Sequence, residues 1–155
     1  MESVKLNDLK KELGERPPQE LVELCLKLVK FKRDNKELLT YLLFEQDNEA
    51  CYIEKVKEEM DFAFAEVNKV SFYLTKKGVR KALKLAQKHI KYSGQKTTEI
   101  ELLAYFLQHF SGISKYFPKS TVFENLREVQ IRKITKALES LHPDLQHDYL
   151  HLLKQ

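Results

Sequence analysis

The segment TKKGVRKALKLAQKHIKYSG, residues 75–94, sets the period of this chain. At 100° per residue, Lys77, Lys81, Lys84, Lys88 and Lys91 fall within an arc of about 80°. Arg80 lies beside them. Val79, Ala82, Leu83, Ala86 and Ile90 gather on the opposite side. A strand would alternate with period two; this segment repeats with period 3.6 and reads as an amphipathic helix. It carries seven lysines and arginines and no acid.

The same period recurs on both sides of it. Upstream, Leu6, Leu9 and Leu13 share a face before Gly14, and Pro17 and Pro18 open a second helix, where a missing N–H costs nothing. Its run LVELCLKLVKF, residues 21–31, is apolar on most sides and is expected to be the central helix. Asp34 with Glu37 reads as a variant capping box opening KELLTYLLF. A fourth helix begins near Asp47, with Ile53, Val56, Met60, Ala63, Phe64 and Val67 as its core stripe. Downstream, Thr98 with Glu101 and Thr121 with Glu124 read as two further boxes, and Pro143 opens a last helix. Only four glycines and four prolines interrupt 155 residues. The expectation is an all-α fold of about eight helices in antiparallel pairs. It is a compact bundle or a short HEAT-like helical array, within a single domain, residues 1–155. The longest irregular stretch, SGISKYFPKS at 111–120, is the only candidate for an internal boundary.

Charge is distributed unevenly. The net of +4 hides a segment at 45–68 with two basic and eight acidic residues, followed by 69–96 with nine basic and none acidic. Asp47, Glu54, Glu58 and Asp61 form an acidic stripe on the fourth helix, opposite its core face. The expectation is that this stripe lies beside the basic helix and partly cancels it. Left open, five lysines along roughly 21 Å of helix suit the backbone of a nucleic acid. The face behind them has three small residues among its five, which argues against a membrane-surface helix.

Cys25 and Cys51 lack metal-ligand spacing and are expected to be buried free thiols in a reducing compartment. The opening MESVKLNDLKKELGERPP has no apolar core for a signal peptide, and no run of residues suits a membrane span, so the expected location is the cytoplasm. HDYLH, residues 147–151, sets His147 and His151 one turn apart around Asp148, a spacing close to a zinc-hydrolase motif. The shorter Asp and the missing third ligand set argue for a plain surface helix. His109, in YFLQHF, reads as a partly buried neighbour of aromatics. No phosphate loop, dinucleotide fingerprint or nucleophile elbow is present, so neither catalysis nor a cofactor nor a metal is expected.

QELVELCLKLVKFKRDNKELLTYLLFE (19–45) with ACYIEKVKEEMDFAF (50–64) resembles a small bacterial family of uncharacterised all-helical proteins. The resemblance implies a bacterial all-α protein and brings no activity or functional residue with it. Function is therefore read from surfaces. A non-catalytic protein-interaction module with an acidic protein partner is expected. The alternative is sequence-nonspecific nucleic-acid binding through the basic helix near 76–91, without a membrane. The candidate residues are Lys77, Arg80, Lys81, Lys84, Lys88 and Lys91, joined by Tyr116 and Phe117, which Lys115 and Lys119 flank.

Overall fold

The computed structural model describes residues 3–149. It is all-α: α1 Leu6–Gly14, α2 Pro18–Phe31, α3 Arg33–Thr40, α4 Glu49–Ala65, α5 Phe72–Ser93, α6 Lys96–Ser114, α7 Thr121–Glu139 and α8 Pro143–Tyr149. A wide π-turn at Tyr41–Glu45 and a 3₁₀ turn at Gln46–Asn48 separate α3 from α4. No strand occurs among the described residues. No described helix is long and apolar enough to cross a membrane.

Two compact units divide the chain, residues 1–44 and 45–155. The division falls in the π-turn, not at 111–120, which merely joins α6 to α7 inside the second unit. In the first unit α2 packs chiefly on α3. In the second, α4, α5 and α6 pack pairwise, α7 lies along α6, and α8 touches α7. The links of a few residues between α4 and α7 keep successive helices adjacent, as in an antiparallel bundle.

The central helix is α6, not α2. Ile100, Leu102, Leu103, Phe106 and Phe110 of α6 are all essentially inaccessible to solvent. They meet Ile53, Val56 and Met60 of α4, Val79 and Ala82 of α5, and Ile134 of α7 in one core. In α2 no residue is buried, and Val22, Leu24, Leu26, Leu28 and Phe31 are exposed. An apolar perimeter shows that a helix can be surrounded; whether it is surrounded depends on how many neighbours pack against it.

The helix ends explain how α5 is held. Asn68 Oδ1 accepts from the backbone N–H groups of Val70 and Ser71 at 2.8 and 3.2 Å. The buried Thr75 donates its hydroxyl to the carbonyls of Asn68 and Ser71. Together they satisfy the 66–71 connection and the first turn of α5. Gly78 admits Val67 close to the helix, because a Cβ there would stand 3.1 Å from the valine Cγ2. At the far end Gly94 takes the left-handed conformation, φ +67°, and its N–H closes the helix on the Ile90 carbonyl at 2.9 Å.

The predicted capping boxes shift. Ser120, not Thr121, caps α7 by accepting from the Phe123 N–H at 3.3 Å. Thr98 lies inside α6, buried, and its hydroxyl bonds to the Glu49 carboxylate together with Ser93. A side-chain acceptor two helices away thus takes a hydroxyl that the local pattern assigns to a cap. The α3 start has no side-chain cap; Asp34 pairs with Lys32 and Glu37 with Arg33. Both cysteines are free thiols, as expected, but both are exposed instead of buried.

Candidate functional site

Burial of Val79, Ala82, Leu83 and Ala86 fixes the rotation of α5 and turns its basic arc outward. Lys77, Arg80, Lys81, Lys84 and Lys91 are exposed. Lys88 is half-buried, with its ammonium 6.0 Å from the centre of the Tyr92 ring. The row from Lys77 to Lys91 runs about 21 Å along the helix.

The four acids of the predicted stripe do not answer this charge. Glu54 bonds to Lys57 on its own helix at 2.7 Å, and that lysine reaches Glu101 of α6 at 3.4 Å. Asp61 accepts from the Tyr105 hydroxyl at 2.6 Å and lies 3.3 Å from His109 Nε2, both on α6. Asp47 and Glu58 are exposed. Among the described residues none of these four acids pairs with the α5 row. Lys81 pairs with Glu66 at 3.1 Å, with both side chains more than two-thirds exposed. Such a pair contributes at most about 1 kcal/mol and opens readily. Among the described residues, Lys77, Arg80, Lys84 and Lys91 have no ion pair. Compensation by this stripe fails because Glu54 is held by Lys57 and Asp61 by Tyr105 and His109 of α6, while Glu59 of α4 lies 3.5 Å from His89 of α5.

One residue that sequence reasoning passes over joins the row. Tyr73 is 67% exposed, and it sits one turn before Lys77 on the same arc. Extending the i, i+4 spacing from Lys81 and Lys77 back by one step finds it. The loop aromatics part company. Tyr116 is exposed, with Lys69 Nζ 5.9 Å from its ring centre. Phe117 is half-buried and packs edge-on against Phe72 and Phe123, 5.2 and 5.9 Å between ring centres. It closes the end of the core and is poorly placed as an anchor. Beside it lies an open groove of about 460 Å³, lined by Phe72, Pro118, Lys119 and Val122 among others. Its lining holds no carboxylate, thiol or imidazole.

The titratable clusters elsewhere read as structure. His109 stacks on Phe64 at 5.0 Å and contacts Tyr105, as a partly buried aromatic neighbour should. Burial, assisted by the hydrogen bond to Asp61, pushes the Tyr105 phenol up to about 12. The neutral phenol is favoured in the fold, so its stabilisation is complete below the ordinary tyrosine pKa near 10 and is lost as pH rises through about 12. In an ultraviolet titration Tyr105→Phe should remove one tyrosine step near pH 12. An unchanged titration in that variant would contradict the assignment. His147 and Asp148 are exposed on α8, and His151 lies outside the described residues. Among the described residues no group of three or more His, Cys, Asp or Glu side chains converges to hold a metal.

No family model, curated protein or solved structure matches this chain.

Proposed function

We propose that this protein is a non-catalytic binding module and that the α5 face takes the phosphate backbone of a nucleic acid without reading its sequence. One observation carries the reading: a straight row of exposed cations, four of them without an acid partner among the described residues. Lysines at i, i+4 repel one another by a few tenths of a kcal/mol, so the row costs stability and repays it only against an external anion.

The regularity of the row favours a nucleic acid over an acidic protein. Protein interfaces are depleted of lysine at their centres and mix both charge signs. A polymer with one charge per short repeat meets a row of one sign along its length. Tyr73 at the head of the row adds a flat surface on which an unpaired base can stack. The test is fluorescence anisotropy with a random-sequence oligonucleotide over a salt series. About five neutralised phosphates give a log–log slope of roughly −3.5 to −4.5, similar for different sequences. Absence of binding at low salt would end the proposal.

A further inference from the structure

We propose that α2 is the self-association surface of this protein, and that two copies pair through it in antiparallel fashion, centred near Cys25. The first unit carries an uncovered apolar surface out of proportion to its size. Leu24, Leu28 and Phe31 recur at i, i+4, i+7 along one flank of α2 and are 40%, 59% and 85% exposed. Val22 and Leu26, 52% and 49% exposed, lie on the opposite side of the helix and stay outside a contact made by that flank. Leu6, Leu9 and Leu13 of α1 add 80%, 46% and 45%. The flank of Leu24, Leu28 and Phe31 by itself presents on the order of 300 Å² of apolar side chain on one side of α2. The largest apolar patch on a monomer has about that size and is often functional.

Charge selects a second copy as the occupant. The acids of α2, Glu20 and Glu23, lie in its first half; the bases, Lys27 and Lys30, lie in its second. Antiparallel pairing about residue 25 sets the acidic half of each helix against the basic half of the other. Parallel pairing sets like against like. The first unit as a whole holds nine basic and eight acidic residues, so it meets its own copy without net repulsion. The contact would be isologous, the commonest closed symmetry of soluble oligomers. A partner of one charge sign, such as the polyanion proposed for α5, does not match this mixed pattern, and the inference stands apart from that reading.

Light scattering coupled to size exclusion tests it at concentrations on the order of 100 µM, which populate pairs of micromolar Kd. The expected mass is twice the 18.3 kDa of one chain. Leu24→Glu with Leu28→Glu should return the mass of one chain. A pair of charge-reversed chains guards against misfolding. One carries Glu20→Lys and Glu23→Lys, the other Lys27→Glu and Lys30→Glu. Each alone should be a single chain, and an equimolar mixture should regain the doubled mass. In a Cys51→Ser background, mild oxidation should link the wild-type α2 copies through Cys25. A single-chain mass for the wild type overturns the proposal, as does a doubled mass that survives Leu24→Glu with Leu28→Glu. Mixing that fails to restore association overturns the antiparallel arrangement.

Discussion

Changing Lys77, Lys81 and Lys84 together to Glu is expected to weaken oligonucleotide binding by on the order of 10²- to 10³-fold at low salt. Two cations of the row, Arg80 and Lys91, then remain exposed beside three new acids. The salt slope should fall in magnitude from about 4 to about 1.5, because each lost phosphate contact removes roughly 0.7–0.9 from it. Folding should survive. All three side chains are exposed, glutamate is as good a helix former as lysine, and the ion pair given up, Lys81 to Glu66, is solvated. Net charge alone also attracts a polyanion, so the control matters. Arg132, Lys133 and Lys136 are exposed on α7 near Glu128 and Glu139. Changing those three to Glu alters the net charge equally and should cost less than tenfold. Equal losses in the two triple variants would mean that the protein attracts nucleic acid through its net charge and that the α5 row is no site.

The α5 row was legible in the sequence because a helix rotates its side chains by a fixed angle, and one segment suffices to read it. The neighbours of the row were not. Whether Glu54 and Asp61 face α5 or α6 depends on the rotation of α4, which is set by burying Tyr52, Ile53, Val56, Met60 and Phe64 between two helices at once. The acidic stripe looks equally available to either side until that rotation is known. The caps failed by the same logic. Thr98 followed by Glu101 satisfies the local pattern, yet Glu49, far away in sequence, holds the hydroxyl. Ser120 and Thr121 are adjacent hydroxyls, and the choice between them rests on one residue of backbone conformation.

The helix that looked central was misjudged for a related reason. Leu21 to Phe31 carries apolar residues on most sides of its helix despite Glu23, Lys27 and Lys30, and α6, with Glu101, Gln108 and His109, looks no more central by its pattern. Periodic apolarity measures what a helix offers. The core is decided by how many helices accept it, and α6 has three close neighbours while α2 has chiefly one.

Truncation of the α6 core separates these views experimentally. Phe106 is fully buried, stacked 5.6 Å from Phe110 at an interplanar angle of 11°, and 5.6 Å from Phe64 of α4. Phe106→Ala removes a ring from a site walled by α4 and α6, where the surrounding helices cannot collapse without moving their own contacts. Both the lost transfer energy and the residual cavity are charged to stability, for about 3–5 kcal/mol. That is a large part of the roughly 5–15 kcal/mol that holds a domain folded, and each kcal/mol lowers the melting temperature by about 2–4 °C in a chain of this length. Denaturant melts should therefore show a much lower midpoint and a melting temperature about 10 °C down or more. Phe62→Ala supplies the matched comparison. It deletes the same ring from α4, but Phe62 is 75% exposed, so the cost should stay within about 0.5 kcal/mol. Similar losses from the two substitutions would mean that the ring of Phe106 is not enclosed, and that the core is built around some helix other than α6.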